Sequence, residues 1–333
     1  MAYLLDPLTT EKLTLKNRLV MPPMATSKCN EDGTMSNGLL EYYDEKSRGG
    51  HIGLIITEHS YISEEGMVRK KQLSVSSDQM VDGLKKLSDT IHNNGSKTVL
   101  QINHAGGAAK KEVTGLDVVG PSTVFVSNKS DEILTRELRK DEIHEITMKF
   151  RDAALRAKAS GFDGVEIHSA HGYLLNQFYS PLSNKRDDEY GGGLEGRIRF
   201  HLEVIEAVRE GVGKDFPILL RLGAADYMEG GSDVEDAKAA AIAFEKAGVD
   251  ILDISGGFCG YIRPGVTEEG YFSPLTEEIK KVVSIPVILT GGIIHAETAD
   301  RLLSEGKADL IGVGRAIYMD SNWVENEMLP LNK

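Results

Sequence analysis

His168 and His171, three residues apart and followed by Gly172 and Tyr173, are the residues of this 333-residue sequence best equipped for chemistry. Imidazoles at that spacing have three uses: to bind a metal, to sit satisfied in a core or loop, or to offer N–H groups to a substrate oxygen. A metal site needs three or four ligands, and histidine-rich metal barrels usually begin with a His pair on their first strand. The corresponding run here ends in Met-Pro-Pro-Met. Taken alone, H-x-x-H reads first as a core histidine and a loop histidine, and substrate binding comes next.

Other polar residues stand at the ends of apolar runs. Glu58 and His59 follow one, Gln101, Asn103 and His104 close another, and Ser255-Gly256-Gly257 follow a third. Arg221 lies within PILLRL, where a buried guanidinium demands a negative partner. RLGAAD offers none nearer than Asp226, so the sequence leaves an anionic ligand or a salt bridge to Glu58 or Glu166. Thr290-Gly291-Gly292 and Gly312-Val313-Gly314-Arg315 follow the last two runs. Glycines there let backbone N–H groups approach a phosphate, with an arginine for charge. The alternative is turn glycines and a surface arginine.

The elements that must position these residues alternate. β-Branched apolar runs at 17–21, 53–57, 97–102, 164–168, 217–222, 250–255, 286–290 and 309–314 are separated by helical segments. Runs apolar throughout suit strands buried on both faces of a parallel sheet. Asp78 is an expected N-cap with Gly95 past the helix end, Ser232 and Glu235 have capping-box spacing before Gly248, and a third helix is expected over 141–161. SGFDGVEI, AGVDILDI and EGKADLIGV echo one another, each with an Asp able to bond turn backbone before a strand. Eight such units predict an α/β fold of the (β/α)8 TIM-barrel type, ahead of a doubly wound sheet. No linker divides the chain, so 1–333 reads as one barrel. Long excursions near 103–140, 173–193 and 256–275 lie on the strand-exit side, where a barrel carries its active site.

Composition narrows the function. With 51 acidic and 38 basic residues the net charge is −13, which argues against a nucleic-acid partner. Cys29 and Cys259 form no C-x-x-C pair, so neither an iron–sulfur cluster nor a disulfide framework is expected. The N-terminus lacks a signal-peptide pattern, and no apolar stretch reaches the roughly 20 residues of a membrane span. A cytoplasmic protein without a membrane partner is expected.

NRLVMPPM, SKTVLQINHAG, GFDGVEIHSAHGYLLNQFYSPLSNKRDDEYGG, LLRLGAADY and ADLIGVGRA, in that order over about residues 4–325, resemble the Old Yellow Enzyme family of FMN-dependent oxidoreductases. The most specific element is residues 167–192. The resemblance implies bound FMN and NAD(P)H as reductant. It places Pro22, Pro23, Met24 and Ala25 beside the flavin ring, Gln101 on its pyrimidine part, Arg221 near its N1 and C2 carbonyl, and Gly292, Gly314 and Arg315 on its phosphate. His168 and His171 would hold a substrate oxygen and Tyr173 would supply a proton. His59 stands where a small residue is usual; it adds a polar contact near the flavin or points into the lid. Ala25 replaces a Thr or Cys, and Thr26-Ser27 an aromatic substrate contact of some members. The implied reaction is ping-pong reduction of the activated C=C of a small-molecule enone, with no Rossmann domain needed, and homo-oligomers are open. Larger relatives continue into an iron–sulfur segment, so direct reduction by NAD(P)H is expected here. The competing readings are an NADH oxidase or amine demethylase on the same barrel, a non-catalytic flavin binder, and a metal-dependent hydrolase.

Overall fold

A computed structural model describes residues 2–126 and 132–332. Eight strands make the barrel: β1 Leu19–Met21, β2 Leu54–Ile56, β3 Lys97–Asn103, β4 Gly164–Ser169, β5 Ile218–Gly223, β6 Ile251–Ser255, β7 Val287–Thr290 and β8 Leu310–Gly312. All pair in parallel with their sequence neighbours, and β8 returns to β1 with Ile311 opposite Leu19. Each expected run is found within two residues of its bounds. One principal helix follows each strand: α1 Asn37–Ser47, α2 Val81–Asn93, α3 Lys140–Ala159, α4 Leu194–Val212, α5 Val234–Ala247, α6 Ser273–Lys280, α7 Ala296–Ser304 and α8 Arg315–Met319. Within the 103–140 excursion, residues 127–131 lie outside the described residues. Among the described residues no helix is long and apolar enough to cross a membrane.

Strand side chains alternate between the barrel interior and the helix layer. One set, Val20, Leu54, Ile56, Val99, Leu219, Ile251, Ile288 and Leu310, packs inside with Leu13 and Leu15 of an N-terminal hairpin as a dry plug. The other set packs outward against the helices in a second, larger core. Burying each such aliphatic side chain contributes about 1.5–3 kcal/mol. The inner set is not apolar to the end. Two residues beyond the plug, Gln101, Glu166, Arg221, Asp253 and Thr290 point inward from five successive strands, so the expectation of uniformly apolar strands holds only for their lower halves.

Two helix starts differ from expectation. Asp78 opens a 3-10 turn, Asp78–Met80, and pairs with Arg156 at 2.7 Å instead of capping α2. Asp233, not Ser232, caps α5, because its carboxylate accepts from both Glu235 N and Asp236 N, while Ser232 Oγ donates to Asp226. Gly248 ends α5 at φ +111°, a left-handed position that glycine adopts without strain.

The three echoed aspartates share a role across strands, not within their own turns. Asp163 accepts from Thr98 N, Asp250 from Ile218 N and Asp309 from Val287 N, each at 2.9 Å. Each therefore ties the start of one even-numbered strand to the start of its predecessor, and a lysine is bound to each as well. Asp250→Asn is expected to cost about 1.5–3 kcal/mol in urea unfolding, the range for a hydrogen bond to a charged group. Asp89→Asn, which breaks the exposed Lys85–Asp89 pair, should cost about 0.5 kcal/mol or less.

Candidate active site

The layer above the apolar plug is ionic. Gln101 donates through its amide nitrogen to Glu166 Oε2 at 2.7 Å, and Thr290 Oγ1 donates to Asp253 Oδ1 at 3.1 Å. Arg221 Nε stands 3.2 Å from Asp253 Oδ2 without hydrogen-bond alignment, so both atoms, together with Glu166 Oε1, are buried without a hydrogen-bond partner. The partner that the sequence left open for Arg221 is thus Asp253, directly opposite it on β6. Glu166 and Asp253 are both pushed up, first by burial; Glu166 is raised further by Asp253, and Arg221 opposes both shifts. One cation faces two carboxyls, and burial together with the Asp253 charge favours the neutral form of Glu166.

Glu58 does not reach Arg221. It accepts from Thr26 N at 2.7 Å, while its own N–H receives no strand partner but donates to Tyr43 Oη at 2.7 Å. Glu58 thereby anchors the 22–29 segment. Within that segment Pro22 is buried, Pro23 and Met24 are half-buried and Ala25 is exposed.

Directly across the β4–β5 ladder from Arg221 stands His168, the first of the histidine pair. His168 is buried and hydrogen-bonds no described residue, and its Nδ1 is enclosed without a partner. His171 stands edge-on to it, ring centroids 5.2 Å apart and planes at 89°. His171 has φ +61°, unusual for a non-glycine residue, and Gly172 follows at +75°. That strained turn is held from three sides. His171 N donates to Gly256 O, its Nε2 lies 2.8 Å from Ser255 Oγ, and Gly172 N donates to Asn176 Oδ1. Tyr173 begins the short helix Leu174–Tyr179, with its ring 5.0 Å from His168, and its hydroxyl bonds no described residue. Burial holds both imidazoles well below their ordinary pKa; His171 and Arg221 add to this at His168, and Arg221 at His171. Burial likewise raises the Tyr173 phenol.

His59 is drawn into the same cluster, 5.4 Å from the Tyr173 ring and 6.2 Å from His168. Gly292, Gly314 and Arg315 meet at the far side. Pro22 and Met24 close on Gly314, where a Cβ would come within 3.2 Å of both. Tyr271 packs on Gly292, and its phenol oxygen, 3.3 Å away, is the acceptor for Arg315. The sequence reading missed Asp253 and Tyr271, and also Tyr261, whose ring stands 6.2 Å from His171; it placed Ser255 and Thr290 at strand ends without their partners. Among the described residues no group of three His, Cys, Asp or Glu side chains could hold a metal.

A planar anionic cofactor with a phosphate tail fits these residues. The floor holds a cation with uncommitted hydrogen-bonding capacity. Gly314 lets the backbone pass close under Pro22 and Met24, where a side chain would be crowded, and among the described residues Arg315 has only a neutral phenol as acceptor.

The comparisons agree with the geometry. Residues 3–329 match the NADH:flavin oxidoreductase / NADH oxidase family. The chain belongs to this family, the Old Yellow Enzyme family, whose cofactor is FMN. It is 44% identical to an NADH oxidase of Thermoanaerobacter brockii over 93% of its own length and 48% of that protein's, so it spans about half of that relative. It is 40% identical to an NADPH dehydrogenase of Clostridium acetobutylicum, over 95% of this chain and 91% of the other. The structure of an Old Yellow Enzyme homologue from Zymomonas mobilis superposes with TM-score 0.85 at 28% identity, covering 99% of this chain and 93% of that one.

The ionic floor predicts a specific non-additivity in this flavoprotein fold. Glu166→Gln should cost about 1 kcal/mol or less, since it replaces a protonated carboxyl by a near-isostere. Asp253→Asn should cost more, moderated because Glu166 can then ionise beside Arg221. The double variant leaves Arg221 buried without a counter-charge. Urea unfolding should show it losing about 1–3 kcal/mol beyond the sum of the single losses. Simple additivity would show that the two carboxyls do not share the arginine.

Proposed function

We propose that this chain reduces the activated C=C bond of α,β-unsaturated carbonyl compounds, with NAD(P)H as reductant. The observation that carries the proposal is the grouping of the three donors. Among the described residues His168 and the Tyr173 hydroxyl have no hydrogen-bond partner, and His171, whose Nε2 lies against Ser255 Oγ, is set edge-on to His168. FMN, when bound, supplies the hydride chemistry that no side chain of this chain offers. The residues do the rest. Neutral imidazoles at 168 and 171 donate N–H groups to the substrate carbonyl oxygen, which gains negative charge as the β carbon is reduced. Donors aimed there act more strongly in the transition state than in the ground state. Tyr173, kept protonated by burial, delivers a proton to the α carbon. Burial, with the Arg221 charge adding to it, keeps the imidazoles neutral, and Pro22, Met24, Gln101, Gly292, Gly314 and Arg315 are proposed to hold the cofactor. The resemblance also assigns cofactor contacts to Pro23, Ala25 and His59; of these, His59 faces Tyr173.

An oxidase reading has one observation in its favour, the identity to a protein named NADH oxidase. An aromatic cage would favour the amine demethylase reading, but Trp323, the one tryptophan of the sequence, is buried and donates to Ile294 O.

Two outcomes test the proposal. Tyr173→Phe is expected to slow enone-dependent reoxidation of reduced holoenzyme by about 10²–10⁴-fold in anaerobic stopped flow, while reduction by NADPH changes little. Unchanged reoxidation would remove Tyr173 as the proton source. The second outcome concerns pH. Because both imidazoles titrate well below 6.5, kcat/KM for a neutral enone should be flat between about pH 8 and 6. A transition centred near 6.5 would mean that one of them is protonated in the working range. Stability follows the opposite course. The unfolded chain's imidazoles take up protons below 6.5 that the folded sites refuse, so folding stability falls as pH drops through 6.5.

A further inference from the structure

We propose that Arg69 and His59 form an oxyanion subsite beside Tyr173, taking a carboxylate or phosphate carried by the molecule that occupies the active site. Where that molecule is the enone, the proposal rests on the ene-reductase reading; where it is the reductant, it does not.

Hydrogen bonds around Gln72 fix the tautomer of His59. Gln72 Oε1 accepts from Val68 N at 2.8 Å, which fixes the amide so that its nitrogen faces His59. That nitrogen donates to His59 O at 3.1 Å and approaches His59 Nδ1 at 2.9 Å. Nδ1 is therefore an acceptor, and in the neutral ring the proton sits on Nε2. Arg69 stands with a terminal guanidinium nitrogen 3.3 Å from that Nε2. Arginine has no acceptor. Two donors thus point into the same space. Burial and the neighbouring Arg69 and Arg221 charges bring the His59 pKa down to about 3, and a second proton would only add another donor.

Nothing described in the protein supplies the missing acceptor. Among the described residues no carboxylate lies within 4 Å of Arg69, and the adjacent Lys70 is exposed and equally unpaired. Two other cations on the strand-exit side are engaged. Lys111 pairs with Asp117 at 3.0 Å, and Arg263 donates to Tyr271 O and lies over the Tyr227 ring. An oxyanion at the Arg69–His59 edge would receive two converging N–H groups, one of them charged, which is the strong class of hydrogen bond. Its place is within reach of the reacting centre, because the His59 ring lies against Tyr173. The charge of Arg69 is felt there, since it lowers the Tyr173 phenol against the rise from burial.

Two arms separate the sources of the anion. In the first, holoenzyme is given cyclohexenones carrying a carboxylate on methylene tethers of graded length, each against its methyl ester. In the second, stopped flow compares flavin reduction by NADPH and by NADH. In at least one arm the wild type should prefer the more anionic member, and Arg69→Gln should cut that preference about tenfold or more, with Arg69→Lys retaining most of it. Loss in the first arm assigns the anion to the substrate, and loss in the second to the nicotinamide phosphate. Each preference is a ratio within one variant, so reduced folding or flavin content affects both members alike. Wild type without a preference in either arm, or Arg69→Gln that keeps every preference, overturns the subsite. Failure to reduce any ester would count against the ene-reductase reading alone, and the nicotinamide arm would then decide this one.

Discussion

A single buried cation organises the active end of this barrel. Arg221 occupies the layer between an apolar plug and the histidine pair, where an uncompensated guanidinium would be prohibitive. Asp253 supplies the compensation, and Glu166, pushed toward its neutral form by burial, adds less. The hydrogen bonds of this floor are incomplete. The same charge, with burial, keeps His168 and His171 neutral. Were Arg221 replaced by an apolar residue, those imidazoles would lose one of the forces holding their protons off, and Asp253 would become an orphaned carboxylate. The neutral imidazoles and the ionic balance beside them are one electrostatic arrangement.

The strain at His171 has its counterweight in the long segment after β4. Gln177 donates to Ala105 O and Gly172 O and accepts from Gly107 N, stitching the turn to the β3 excursion. Ser180 binds Asp226, Asn184 donates to Phe178 O and Tyr190 O, and Arg186 reaches Pro121 O and Leu138 O as well as Asp188. The tail SPLSNKRDDEYGG, which carries the family resemblance most sharply, is thus scaffolding. Its polar side chains satisfy buried backbone groups of three neighbouring segments, and none of them stands in the histidine cluster. A signature can identify a family through the parts that brace a site as well as through the parts that do chemistry.

What could be read from the sequence follows from where each signal lives. Eight apolar runs at regular intervals are local patterns, and they located every barrel strand. His168, His171 and Tyr173 lie within six residues, so their proximity needed only a strand end. Asp253 is different. DILDIS reads as one buried run, and nothing local shows that its aspartate points inward opposite an arginine 32 positions earlier. Register across strands decides that. The same holds for Ser255 under His171 and for Arg69 against His59, where an excursion folds back over the strand it leaves. The α5 cap fell one residue later than expected because a carboxylate at Asp233 outcompeted a hydroxyl at Ser232 for the same N–H groups.

The acid balance of the chain gives the Arg69 edge its meaning. At −13 overall, the molecule does not attract anions from a distance, and at physiological salt such fields fade within about 8–10 Å. Selection for an anionic group must then act after arrival, through close contacts in a partly enclosed site. Arg69, His59 and the neighbouring Lys70 provide such contacts on one side only, next to the proton-bearing tyrosine. A ligand with a single negative group would be oriented by them as well as retained, its neutral end directed toward the paired imidazoles. Orientation of this kind acts on reaction rate directly, because it limits the poses in which the carbonyl oxygen can meet both histidines.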